Sequence, residues 1–358
     1  MRADSLFFSD TSGDLIADKR FAYAMACMQA ADWPAAADLF AQTLELVPHW
    51  PSAHFALGEV LCQLGRIVEA SQAFRSALRL DPVDRLGAGP RLAALGLAPV
   101  PDQLPQAYVR TLFDQYAERF DAELVEALHY SAPWRLRDLL LNHLPGQHAA
   151  RLLDLGCGTG LMGEAMRKHA SWLVGVDLSA EMAAMAARKK VYDEVGAGEA
   201  IAILAETDCS YDAITAADVL VYMGDLHTLL AAVAGKLVPG GYFAFSCERF
   251  SGEGFVLGAG LRYAHSRSYI QSCLTGAGLE LAEIAEESCR QESGQDVMAY
   301  FVVARKAPHI DLGPKPDGQH VPAPIHPTLQ ALSVDPVQTV SEQALDSKSQ
   351  NLSAGEHS

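Results

Sequence analysis

The stretch Leu152-Leu153-Asp154-Leu155-Gly156-Cys157-Gly158-Thr159-Gly160, followed by Val174-Gly175-Val176-Asp177, decides the fold. Two apolar runs of strand length bracket a glycine cluster and a helical segment, and the second run closes on a carboxylate. The glycines let backbone pass close beneath a ligand and take angles that a side chain resists. Asp177 stands at a strand end about 20 residues past the turn, where an acid accepts hydrogen bonds from two ribose hydroxyls. The pattern describes a pocket for a nucleotide-like ligand.

Two cofactors fit such a turn, because Gly158-x-Gly160-x-x-Gly163 also satisfies the dinucleotide fingerprint. Asp154 argues against that reading: an acid near the end of the first strand repels a pyrophosphate and suits an ammonium group. The run Asp-Leu-Gly-Cys-Gly-Thr-Gly resembles motif I of class I S-adenosylmethionine methyltransferases. The resemblance implies a cofactor site formed by Asp154, Gly156, Cys157, Gly158, Gly160, Asp177 and Leu178. It also places Glu199, in Ala197-Gly198-Glu199, where the family carries an acid for the adenine amino group, and puts Asp218 beside the cofactor at the end of the fourth strand.

At 358 residues, half of them hydrophobic, the chain has room for two domains with a sizeable core. A formal charge of −17 opposes binding to nucleic acid or anionic lipid. The seven cysteines form no C-x-x-C pair, so neither a zinc site nor a disulfide framework is expected. With no basic-then-apolar leader and no apolar run of about 18 residues, the expectation is a cytoplasmic protein that does not enter a membrane.

Residues 1–16 lack periodicity and are expected to be disordered. Beyond them a helical pattern repeats at 34 residues: Ala36 with Ala70, Phe40 with Phe74, Pro48 with Pro82. Small residues there let antiparallel helices approach, the Phe fills the seam and the proline ends the second helix, which are tetratricopeptide positions. Residues 17–98 are therefore read as an all-α repeat domain, with a degenerate third copy around Arg91–Leu97 as a cap. Such a module docks a peptide or partner, associates with a second copy, or packs on the neighbouring domain.

Residues 105–306 form the second domain, with 105–148 as N-terminal lid helices. Over Ala107 to Leu128, Tyr108, Leu112, Phe113, Tyr116 and Phe120 make one aromatic stripe at helical spacing. This segment resembles the helix that folds over the cofactor in small-molecule methyltransferases, which implies contacts from Tyr108 and Tyr116. Strands follow at 151–155, 172–177, before Glu199, 211–217, 242–247, 279–289 and 297–304, with helices between. The last two are separated by too few residues for a crossover and must pair antiparallel. The expected fold is α/β, a Rossmann-like, mostly parallel sheet with a terminal antiparallel hairpin, joined to the repeat module. Residues 307–358 read as a disordered tail.

Methyl transfer is an in-line displacement that gains most from positioning. The Asn/Asp-Pro-Pro-aromatic run of enzymes acting on planar amino nitrogens is absent, as is the cysteine set of the radical branch. Tyr222 faces the substrate in this reading, His265 serves as base and Arg290 holds an anionic group. No metal is expected. From about Asp18 to Lys306 the chain resembles predicted methyltransferases that contain tetratricopeptide repeats. The resemblance implies methyl transfer from S-adenosylmethionine, with a small-molecule acceptor favoured over a protein. The alternatives are a cofactor-binding module whose repeats recruit a partner, and a nicotinamide oxidoreductase.

Overall fold

A computed structural model describes residues 10–121, 130–292 and 294–308. The expectations for residues 1–9, for 122–129 of the lid and for 309–358 of the tail fall outside the described residues.

The repeats form α1 (Leu15–Gln29), α2 (Trp33–Leu46), α3 (Pro51–Gln63) and α4 (Ile67–Leu80). Asp14 and Asp32 cap α1 and α2 by accepting backbone N–H bonds, each contributing about 1 kcal/mol. The sequence period returns as a repeated contact. Phe21 meets Phe40 edge-on at 5.3 Å, and their counterparts Phe55 and Phe74 meet edge-on at 5.4 Å. A Cβ at Gly58 would lie 2.6 Å from the Phe74 ring, so the small residue there sets how closely α3 and α4 approach. A short α5 (Ala88–Ala94) packs on α4 as the cap, three residues earlier than expected. Within the 1–16 stretch the described residues are held in place: α1 starts at Leu15, and the Asp10 carboxylate accepts hydrogen bonds from Trp50 Nε1 and Ser52 Oγ.

The second domain opens with α6 (Gln106–Tyr116) and α7 (Ala132–Leu141), then alternates β1 (Ala149–Leu155), α8 (Leu161–Met166), β2 (Ala170–Asp177), α9 (Ala180–Lys189), β3 (Glu194–Ala197), α10 (Ala200–Glu206), β4 (Tyr211–Ala216), α11 (His227–Lys236) and β5 (Leu237–Arg249). β6 (Phe255–Leu257), β7 (Tyr263–His265), α12 (Arg267–Gly276), β8 (Leu279–Glu292) and β9 (Gln295–Lys306) complete it. Strands β3-β2-β1-β4-β5 run parallel in that order, and β9 joins β5 antiparallel with β8 outside it. This is the expected Rossmann-like methyltransferase sheet.

Side chains alternate across the strands. Leu153, Val174, Ile214 and Phe245 share a core with α11 and α12, while Leu152, Leu173, Ala213 and Ala244 pack with α7 and α8 on the other face. Each fully buried Leu or Phe contributes on the order of 1.5–3 kcal/mol. The β6–β7 hairpin was not foreseen. Its strands have three residues each, too few to show a period, and β7 pairs parallel with the far end of β5.

The repeats and the sheet domain share one core. Phe55, Leu61, Phe74 and Leu92 cluster with Tyr108 and Leu112 of α6 and with Leu257, Leu261 and Tyr263 of the hairpin. Arg91 ties the layers by bonding Glu59 of α3 and the Ala259 carbonyl in the hairpin turn.

Candidate active site

The parallel strands end at one edge, and the turns that follow them line a single cavity with α6. The glycine turn after β1 lies at its centre. Gly156 has φ +67°, and a Cβ there would lie 2.3 Å from Val219, so only glycine fits. Gly158 has φ +53°, but a Cβ there would meet nothing nearer than the Phe120 ring at 4.0 Å. Its missing side chain is space belonging to the cavity. Gly156, Cys157 and Gly158 all line it, as do Asp177, Leu178 and Glu199.

Asp177 accepts the Gly158 N–H and the Ser179 N–H, both at 2.8 Å, one on each carboxylate oxygen. These bonds fix the carboxylate and leave each oxygen a further lone pair. Burial pushes its carboxyl up to about 6. Glu199 caps α10 by accepting the Ala202 N–H at 2.7 Å. The fit to an adenosyl group thus rests on a cradle at Gly158 and two acids on neighbouring strand ends.

The structure places four residues read as cofactor contacts, Asp154, Gly160, Tyr108 and Tyr116, and one read as catalytic, His265, outside the cavity lining. Asp154 is completely buried and outside the cavity: the Tyr192 hydroxyl donates to one oxygen at 2.6 Å and the Thr215 hydroxyl to the other at 2.9 Å. Desolvation pushes its carboxyl up to about 7. Gly160 and Gly163 turn towards Tyr192. A Cβ on Gly163 would sit 2.3 Å from that ring, so the third glycine of the apparent dinucleotide fingerprint makes room for a tyrosine.

Tyr108 and Tyr116 lie on the faces of α6 that pack against Gly87 and Met182. The cavity instead receives Gln106, Val109 and Phe113, at three- and four-residue spacing, then Phe120. His265 is buried outside the cavity. Its Nε2 donates to the Met223 carbonyl at 2.9 Å, and burial lowers its pKa to about 4, so it is a neutral structural imidazole.

Tyr222, Asp218 and Arg290 do line the cavity, and there they meet Arg262, to which the sequence assigned no role. Arg262 donates to Asp218 Oδ1 at 2.6 Å, to the Tyr222 hydroxyl at 3.0 Å and to Glu248 at 2.5 Å. Arg290 donates to the same Glu248 oxygen at 2.7 Å. A register shift between Ser288 and Arg290 marks a bulge in β8, which turns the Arg290 side chain inward beside buried Cys289. Burial alone would raise the Asp218 carboxyl; the two guanidiniums outweigh it and hold it below its usual range. Burial pushes the Tyr222 phenol up to about 12. Asp218 also has φ +62°, a strained angle for a residue with a side chain.

The α6 segment is fastened over the site. Ser179 Oγ donates to Asp114 at 2.5 Å, Thr159 Oγ1 donates to Asp121, and Lys189 pairs with Asp121 at 2.8 Å. Among the described residues no cluster of side chains has the composition of a metal site, and no helix is long and apolar enough to cross a membrane.

Fold and site together resemble a class I methyltransferase domain beside a tetratricopeptide-type helical module. The methyltransferase-domain family matches residues 153–245, and the tetratricopeptide repeat matches residues 51–82. The chain is similar to the ubiquinone biosynthesis O-methyltransferases of Idiomarina loihiensis, 32% identical over 37% of this chain and 55% of that one, and of Coxiella burnetii, 30% identical over 34% and 53%. It spans about half the length of these curated relatives. Among solved structures it resembles the N-methyltransferase NodS from Bradyrhizobium japonicum, 21% identical, TM-score 0.43, over 55% of this chain and 97% of that one.

Proposed function

We propose that the protein transfers a methyl group from S-adenosylmethionine to a small-molecule acceptor. The observation that carries this reading is the cavity at the strand ends, where the open space beside Gly158, the doubly held Asp177 and Glu199 offer an adenosyl site in strand order. In this reading the Gly156–Gly158 turn lies beneath the cofactor, Asp177 accepts the ribose hydroxyls and Glu199 faces the adenine.

When bound, the sulfonium supplies an electrophilic methyl: its carbon–sulfur bond breaks, the electron pair stays on sulfur, and the acceptor atom gains the methyl and releases a proton. The chain's own work is positioning and exclusion of water. Phe113 and Phe120, held down by the Asp114 and Asp121 bonds, cover the cavity and suit an enclosed acceptor better than a protein surface. Seven unpaired cysteines fit a reducing compartment such as the cytoplasm.

The second repeat packs on α6 and the hairpin that border the cavity, which supports a scaffolding role for it. The first repeat keeps the partner-binding role open to the module: Tyr23 of α1 is well exposed.

Methyl-labelled S-adenosylmethionine incubated with the protein and a size-fractionated cell extract tests the reading. Label in the small-molecule fraction, absent with Asp177→Ala, is the expected result. Label confined to macromolecules would overturn the small-molecule acceptor, and no label in any fraction would overturn the transferase.

A further inference from the structure

The cavity has two chemically different ends, set by strand order. Glu199 follows β3 and Asp177 ends β2, whereas Asp218 follows β4 and Arg262 precedes β7, on the other side of the glycine turn. Adjacent strands lie about 4.8 Å apart, so three strand steps separate the Glu199 and Asp218 turns by roughly 14 Å. The adenosyl reading occupies the first end. The second holds Asp218, Tyr222, Arg262 and Arg290, with Glu248 behind them.

Positive charge in this second end is fully compensated. Two buried guanidiniums meet two carboxylates, Asp218 and Glu248, and Glu292 lies 3.7 Å from Arg290 at the rim. An incoming anion therefore meets no uncompensated positive charge and would lose its hydration without an attraction to offset the loss. The polar inventory is nonetheless incomplete. Asp218 Oδ1 takes the Arg262 bond, while Oδ2 takes no hydrogen bond from the described residues. Arg262 uses one N–H on each of its three nitrogens, and each terminal nitrogen has a second. An ionised acceptor oxygen thus stands beside guanidinium donors, against a wall formed by Val109, Phe113, Pro133 and Met223.

We propose that Asp218, Arg262 and Arg290 form the polar anchor of the methyl acceptor. The group it takes is uncharged and places a hydroxyl donor next to a carbonyl or ether oxygen, on a largely apolar body. The hydroxyl donates to Asp218 Oδ2, and the neighbouring oxygen accepts from a guanidinium. Arg262 is held for this task by its flanking residues: Leu261 and Tyr263 lie in the core shared with the second repeat, and the Arg262 carbonyl accepts the Gly258 N–H across the hairpin turn. The second repeat thereby fixes the acceptor end of the site. Asp218, read from the sequence as a cofactor residue, becomes an acceptor residue.

The inference rests on the methyltransferase reading, so its test separates the two. The small molecules of a cell extract are divided by ion exchange into anionic, cationic and uncharged pools, and each is offered with methyl-labelled S-adenosylmethionine to the wild type, Asp218→Asn, Arg262→Lys and Arg262→Met. S-adenosylhomocysteine affinity is measured by calorimetry on each protein. The expected result is label from the uncharged pool alone. Asp218→Asn and Arg262→Met should cut transfer at least tenfold and raise the amount of pool giving half-maximal rate, with S-adenosylhomocysteine affinity within threefold of wild type. Arg262→Lys, which keeps the charge and loses the fork, should fall between them and the wild type.

Label from the anionic pool would overturn the anchor's chemistry. Undiminished transfer in the variants, or lost S-adenosylhomocysteine affinity in both Asp218→Asn and Arg262→Lys, would overturn the assignment of these residues to the acceptor. A wild type that binds S-adenosylhomocysteine but labels no pool contradicts the transferase reading itself, and the anchor falls with it.

Discussion

The two ends of the cavity are built by different means. At the β1–β3 end the two acids sit at or just past the ends of their own strands and are held by backbone: Asp177 takes the Ser179 and Gly158 N–H groups, and Glu199 takes that of Ala202. At the β4–β7 end the groups hold one another across long stretches of chain. Arg262 reaches Asp218 over 44 residues, and Arg290 reaches Glu248 over 42. The first end is a local motif that can sit on many sheets of this kind. The second depends on the hairpin, the bulge in β8 and, through Leu261 and Tyr263, on the repeats. A shared cofactor and a private acceptor call for this division of labour.

Substitutions that act at one end only are the way to break this comparison. The largest effect is expected from Gly158→Val, whose side chain enters the cavity and strains the turn at φ +53° without striking the core: S-adenosylhomocysteine affinity should fall at least about 100-fold in calorimetry while the circular dichroism spectrum stays that of a folded protein. Asp177→Ala removes an ionised acceptor and should weaken the same ligand by about 10- to 100-fold, or about 1.4–2.7 kcal/mol. Because burial raises the Asp177 carboxyl to about 6, protonation below that pH removes the charge that accepts the ribose hydroxyls. Affinity should be flat above about pH 7 and decline as pH drops through 6; titrations across this range should show the slope in wild type and a flat response in Asp177→Asn.

His265 sharpens the contrast from the other side, since it lies beside the acceptor end without entering it. His265→Gln should cost about 1–3 kcal/mol of stability, read from denaturant melts, and leave the ratio of acceptor methylation to S-adenosylhomocysteine affinity unchanged. A selective loss of transfer would restore the histidine to the mechanism. The smallest effect belongs to Arg91→Ala, which unties α5 from Glu59 and from the hairpin turn. It should raise the acceptor level for half-maximal rate about two- to threefold, with cofactor affinity unaltered.

What the sequence discloses follows the same division. The strand-end placement of the glycine turn, Asp177 and Glu199 is legible because it depends on local sequence, and the repeats are legible because a 34-residue period needs no knowledge of the rest of the chain. The surroundings of Asp154 are not legible: its charge is visible in the sequence, and the Tyr192 hydroxyl that bonds it, 38 residues on, is not. The aromatic stripe of α6 was real but spans too wide an arc: Tyr108 and Tyr116 serve packing, and Phe113 with Phe120 face the cavity. Arg262 carried no sequence signal beyond its place before His265. Only the pairing of β7 with β5 brings it to Asp218.

The most direct measurement is a crystal structure of the protein with S-adenosylhomocysteine. The account predicts the ribose hydroxyls on the Asp177 carboxylate, the adenine beside Glu199, and the sulfur directed past the glycine turn towards Asp218 and Arg262. Adenosine density over the β4–β7 end, or a homocysteine carboxylate clamped by Arg262 and Arg290, would contradict the division of the cavity into a cofactor half and an acceptor half.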